Sequence, residues 1–201
     1  QLDTIEAGAR EIRAANTLVC VNNKLKGFNT DIIGFKKGLL KKKWNKKRPV
    51  VVFGAGGAAE AILYFLELEN IKHITVVNRT KKRAKEVAKK YKNISFSSDI
   101  NSEIKEAGLI INTSSLGMIG YPELKIKLNK INKEAIIYDI VYNPINTYLI
   151  NEAKKQKLEF VTGLDMFIEQ ARASFEIWFK IKPDINTSLI NNIKRKISKR
   201  W

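Results

Sequence analysis

A glycine-rich hexapeptide, Gly54-Ala55-Gly56-Gly57-Ala58-Ala59, stands between the apolar run 50–53 and an amphipathic stretch. Strand, glycine turn and helix in that order form the G-x-G-x-x-G/A arrangement that binds the pyrophosphate of a dinucleotide. Gly54 permits the tight turn, Gly56 lets backbone approach the pyrophosphate, and the small Ala59 lets helix and sheet pack closely. The unsatisfied N–H groups and the dipole at the helix start favour negative charge. Gly54, Ala55, Gly56, Gly57 and Ala58 are therefore the candidate pyrophosphate contacts.

About 20 residues beyond such a loop, an NAD-binding chain usually carries an acid that binds the ribose 2′-OH and repels a 2′-phosphate. This sequence reads Asn78-Arg79-Thr80-Lys81-Lys82-Arg83 instead. Arg79 can stack on adenine and pair with a 2′-phosphate, Thr80 can donate its hydroxyl while capping the next helix, and Arg83 returns one turn later. Asn78, Arg79, Thr80 and Arg83 thus point to NADP as the cofactor.

Outside the glycine loop, Asp31 stands out, because a carboxylate after Asn29-Thr30 at a hairpin exit has no apolar face to support. His73 opens a strand without a Cys, Asp or Ser at catalytic spacing and reads as a surface or capping residue. Met118 and Trp178 sit in apolar context and read as packing. Cys20, the single cysteine, reads as a small buried residue of a protein in a reducing compartment. No metal site is expected.

The elements that must position these residues follow from hydrophobic pattern. Short unbroken apolar runs at 50–53, 74–77, 94–96, 109–112, 136–139 and 158–161 read as strands buried on both faces. The amphipathic segments 57–69, 81–91 and 146–156 suit crossover helices. Together they predict an α/β fold, a Rossmann-like doubly wound parallel sheet. Ahead of it, residues 17–28 form two extended runs around Asn22-Asn23, a hairpin, and 32–44 carry Ile33, Leu39, Leu40 and Trp44 in a helical pattern. The basic run 41–48, ended by Pro49, reads as a solvated boundary. Helical patterns return at 166–179 and 189–197, while Leu2, Ile5, Arg10 and Ile12 read as a helix entered midway, so the chain is expected to be a fragment. The division is 1–33, the end of a substrate-binding domain; 34–48, a linking helix and basic linker; 49–162, the dinucleotide domain; and 163–201, returning helices.

With 37 basic against 20 acidic residues the chain carries +17, a charge that draws phosphates of any kind. The basic residues are mostly Lys scattered among Ile and Asn, as AT-rich coding produces, without a nucleic-acid-binding signature. Nucleic acid is therefore not expected as a partner. No apolar stretch reaches the roughly 18 residues of a membrane span, and a cytoplasmic monomer or homodimer is expected.

The chain resembles the shikimate dehydrogenase family along its whole length. The resemblance is carried by Ala14-Ala15-Asn16-Thr17, Gly27-Phe28-Asn29-Thr30-Asp31-Ile32-Ile33-Gly34, the glycine loop, Asn78-Arg79-Thr80, the segment 111–118, Asp139-Ile140-Val141-Tyr142-Asn143-Pro144 and the segment 163–171. It implies NADPH-dependent reduction of 3-dehydroshikimate to shikimate. It also implies that Asn16 and Asp31 contact substrate hydroxyls, that Gln170 reaches another, and that Tyr142 lies near the substrate carboxylate. Asn112, Thr113, Gly163 and Met166 line the nicotinamide side. The family pairs its Asp, here Asp31, with a catalytic Lys from a motif that the resemblance places ahead of residue 1. Glutamyl-tRNA reductase shares the glycine loop and Asn-Arg-Thr but lacks the hairpin exit and the 163–170 segment. A quinate/shikimate dehydrogenase is expected to carry an acid near residue 79, and a non-catalytic NADP-binding module is the remaining alternative.

Overall fold

The structure, a computed structural model, describes residues 2–199. The chain opens with β1 (Thr4–Ile5) and α1 (Ala7–Glu11), followed by the hairpin β2 (Thr17–Val21) and β3 (Lys24–Phe28). β3 pairs antiparallel with β2 and parallel with β1, a three-stranded sheet in the order β1-β3-β2. The helical pattern read at Leu2 to Ile12 therefore resolves into a strand and a short helix. Thr4 and Ile5 find partners on β3, and the Glu6 carboxylate caps α1 by accepting from the Ala9 amide at 3.2 Å. Pairing with a distant strand overrides local periodicity here.

Cys20 is exposed on β2, contrary to the expectation of burial. Only Thr17 of that strand is buried, since a small three-stranded sheet leaves most of an edge strand open. Next comes α2 (Asp31–Leu39), which begins immediately after the hairpin and ends before Trp44. The boundary placed after residue 33 therefore falls inside a helix, and Trp44 packs on the core from a loop.

The remaining elements alternate: β4 (Val50–Phe53), α3 (Gly57–Leu68), β5 (Ile74–Val77), α4 (Lys81–Ala88), β6 (Ile94–Ser97), α5 (Ile100–Lys105), β7 (Leu109–Asn112), β8 (Ile136–Asp139), α6 (Tyr148–Lys155), β9 (Glu159–Val161), α7 (Gly163–Phe179) and α8 (Thr187–Lys199). Six strands pair in parallel in the order β6-β5-β4-β7-β8-β9, the doubly wound arrangement expected. The sequence reversal between β4 and β7 opens a crevice at the strands' carboxyl ends, where such sheets bind ligands. β6 is only partly covered because it is the edge strand.

Alternation along each strand divides the core in two. Val50, Val52, Ile74, Val76, Leu109, Ile111 and Tyr138 face α3 and α2, with Phe35 stacked on Tyr138 at 4.5 Å. Val51, Phe53, Ile110 and Ile137 face the other layer, where Ile104, Leu149 and Leu158 join them. Fully burying one Leu or Ile contributes about 1.5–3 kcal/mol. The connection from β7 to β8 carries no helix; Leu124, Ile126, Leu128 and Ile131 seal the second layer from an extended segment. Gly34 lets α2 rest directly on α7, because a Cβ at that position would lie 2.7 Å from the Met166 carbonyl oxygen.

Candidate active site

Two groups of candidate side chains lie beside the large sheet. The first lines a cleft of about 660 Å³ formed by Gly54, Ala55, Gly56, Asn78, Arg79, Arg83 and the segment Thr113 to Leu116, among others. Gly54 has φ +114°, and a Cβ there would meet the Thr113 hydroxyl at 2.5 Å, so only glycine fits the turn. Gly56 and Gly57 differ: a Cβ on either would meet no protein atom within 4 Å. Their bare faces leave space for a ligand to touch backbone at the start of α3, where no side chain caps the helix. A phosphate fits this cradle by charge and by shape.

Arg79 and Arg83 face the same cleft from the end of β5 and the first turn of α4. Thr80 does not act as expected. It occupies the N-cap position of α4, yet its hydroxyl makes no capping bond, and it lies outside the cleft lining. Its carbonyl accepts from the Asn78 amide at 3.0 Å, which shapes the turn and leaves the two arginines forward. Ala58 is half-buried beyond the lining.

Opposite the arginines, Thr113 is tied down twice, its amide donating to the Phe53 carbonyl at 2.8 Å and its hydroxyl at 2.7 Å. Asn112, expected on the nicotinamide side, is fully buried, and its amide faces inward. It donates to the Asp139 carboxylate and to the Leu116 carbonyl, both at 2.9 Å. Gly163 and Met166 are also packing residues in this structure. A Cβ on Gly163 would lie 2.2 Å from the Ile140 carbonyl oxygen, and the Met166 side chain joins the core between sheet and α7.

The second group joins the hairpin, α2 and α7. The Asn16 amide donates to the Asp31 carboxylate at 3.0 Å and to the Gln170 side-chain carbonyl at 3.4 Å. Asn16 Oδ1 accepts from the Thr30 amide at 2.9 Å and from the hydroxyls of Thr30 and Thr17, each at 3.1 Å. These bonds hold the side chain in one orientation, the 3.4 Å contact with Gln170 being the longest of them. Ser174, buried on α7, lies 2.7 Å from the Thr17 hydroxyl and 3.1 Å from that of Thr30. Ser174, Thr17 and Thr30 were missed in the sequence; the signal was a polar residue one turn beyond Gln170 on an otherwise buried helix face.

Burial pushes the Asp31 carboxyl above the usual range, against the opposing pull of the Asn16 hydrogen bond. Among the described residues no basic side chain pairs with it. Tyr142 is 41% exposed and stacks on Phe167 of α7 at 4.7 Å, which places its ring on the helix that carries Gln170. A larger hollow of about 900 Å³ lies beneath α8, lined by residues such as Asn146, Arg172 and Lys194, and includes neither group.

The family model for shikimate/quinate 5-dehydrogenase matches residues 38–156, and that for the shikimate 5′-dehydrogenase C-terminal domain matches 163–187. The chain belongs to the shikimate/quinate 5-dehydrogenase family. A shikimate dehydrogenase (NADP⁺) of Afipia carboxidovorans is 37% identical over 189 residues, 92% of this chain and 68% of that one. Its counterpart in Brucella ovis is also 37% identical, over 205 residues that make 98% of this chain and 71% of the relative. Shikimate 5-dehydrogenase of Thermus thermophilus, solved with NADP(H) and shikimate, superposes with a TM-score of 0.84 at 31% identity, over 98% of this chain and 73% of that one. Both groups thus lie within the part of the shikimate/quinate 5-dehydrogenase fold that this chain shares with its relatives.

Proposed function

We propose that this protein is an NADP-dependent shikimate dehydrogenase of the shikimate pathway, reducing 3-dehydroshikimate to shikimate. One observation carries the reading: the phosphate cradle at Gly56 shares its cleft with Arg79 and Arg83, and among the described residues no acid lines it. NADP-dependent relatives at 37% identity support it.

Residues 49–162 serve as the cofactor domain, while the hairpin and α7 form the substrate side. Gly54 to Gly56 hold the pyrophosphate, and Arg79 and Arg83 pair with the 2′-phosphate as charge-assisted donors. Asn78 and Thr113 shape the walls. NADPH, when bound, supplies the hydride that reaches the substrate carbonyl carbon. Asn16 and Gln170 orient the substrate hydroxyls. Asp31 accepts from a hydroxyl and balances the positive charge of the lysine that the family resemblance pairs with it, the donor of the proton to the developing alkoxide. Tyr142, held by Phe167, presents its hydroxyl to the substrate carboxylate. A cytoplasmic monomer or homodimer is the form this reading implies.

The test is steady-state oxidation of NADPH by the protein with 3-dehydroshikimate. Turnover that needs both compounds, with NADPH favoured over NADH, is expected. A preference for NADH, or activity on quinate alone, would overturn the assignment.

A further inference from the structure

We infer that Asp139 is a positioning residue for the wall of the cofactor cleft, acting through Asn112; this rests on the cofactor reading above. Asp139 ends β8, is fully buried, and is not itself part of the cleft lining. Its Oδ1 accepts from the Asn112 amide at 2.9 Å and from the Val141 amide at 3.0 Å. Oδ2 accepts from the Thr147 hydroxyl at 2.6 Å.

A carboxylate only accepts, so it decides which way the neighbouring amide must face. With its nitrogen turned toward Asp139, Asn112 has one N–H left for the Leu116 carbonyl, at 2.9 Å. Its oxygen is then presented to Ser114, accepting from the backbone amide at 3.1 Å and from the hydroxyl at 2.7 Å. The Ser114 hydroxyl in turn accepts from the Leu116 amide at 3.2 Å. Ser114 and Leu116 line the cleft facing Gly54 and Arg79. One buried carboxylate therefore orders, through Asn112, the loop at Ser114 and Leu116 that lines the cleft. Were Asn112 to flip, its two N–H groups would face the Ser114 amide and hydroxyl, its oxygen would face two acceptors, and the loop would lose its anchor.

The experiment compares the parent protein with Asp139→Ala, Ser114→Ala and the double variant, titrating NADPH and shikimate separately by fluorescence and monitoring folding by near-ultraviolet circular dichroism. Asp139→Ala is expected to weaken NADPH binding about tenfold and leave shikimate affinity within about twofold, a split that general loss of structure does not produce. Ser114→Ala should weaken NADPH less, and the double variant should be no weaker than Asp139→Ala, since both act through one network. Parental NADPH affinity in folded Asp139→Ala, or losses that multiply in the double variant, would overturn the inference. If Asp139→Ala does not fold, Ser114→Ala decides alone, with parental NADPH affinity counting against it. A parent protein that binds no NADPH sinks the cofactor reading itself, and this inference with it.

Discussion

The Asn16 amide donates to Asp31 at 3.0 Å, and the same amide nitrogen lies 3.4 Å from the Gln170 oxygen. Asn16 thus bridges the hairpin, the first residue of α2 and the middle of α7, and a displacement of any one element moves the other two. Asp31 begins a helix, where the dipole favours its negative form, yet burial works in the opposite direction and prevails.

From this relationship follows the behaviour of Asp31→Asn. The variant retains size and one acceptor, so its melting temperature should stay close to that of the parent, while kcat falls by about 10²-fold or more. Steady-state kinetics beside a thermal melt checks the pair of outcomes. A normal kcat would remove Asp31 from the mechanism.

Gly34→Ala tests the spacing rather than the chemistry. The added Cβ would lie 2.7 Å from the Met166 carbonyl oxygen and 3.0 Å from Gln170 Cβ, forcing α2 away from α7. Overpacking of this kind costs about 1–3 kcal/mol, and the KM for shikimate should rise as Asp31 and Gln170 separate. Denaturant unfolding and substrate titration measure both effects.

Cofactor choice rests on Arg79 and Arg83. Arg79→Ala should lose about 1.5–3 kcal/mol of NADPH affinity and leave NADH affinity unchanged, because only NADPH carries the 2′-phosphate. Equal losses for the two cofactors would refute the assignment.

Asp139 makes stability depend on pH. Burial pushes its carboxyl up to about 6, outweighing the hydrogen bonds from Thr147, Val141 and Asn112 that favour the charged form. The folded protein therefore holds a proton that the unfolded chain has already released, and this group's contribution to stability declines as pH rises through about 6. Relative to Asp139→Asn, the parent should lose about 1 kcal/mol between about pH 5 and pH 7. Melting curves for both proteins across that interval provide the comparison, and a constant difference would contradict the upward push on the Asp139 carboxyl.

The net charge of +17 should act only as a diffuse field. Binding to duplex DNA or tRNA is expected to be weak, independent of sequence and lost by about 200 mM salt. Gel-shift titration at several salt concentrations tests this; specific binding that survives would reverse the reading of the charge.

Much of this protein is local information. Runs such as 50–53 and 109–111 are apolar without interruption because strands of a parallel sheet are covered on both faces, so the sheet could be read directly from the sequence. The glycine loop and the basic residues after β5 are likewise contiguous, and the physics of a phosphate site acts over a few residues. Contacts between distant segments were another matter. Asn16 and Gln170 are 154 positions apart, and they meet through tertiary contacts such as the close approach of α2 to α7 at Gly34 and the bond between Thr17 and Ser174. Cys20 and Thr80 were misjudged because exposure and capping depend on neighbours that the local pattern does not contain. Asp139 could be named from the resemblance but not given a role, since a carboxylate acquires one only when folding strips its water and puts Asn112, Val141 and Thr147 in its place.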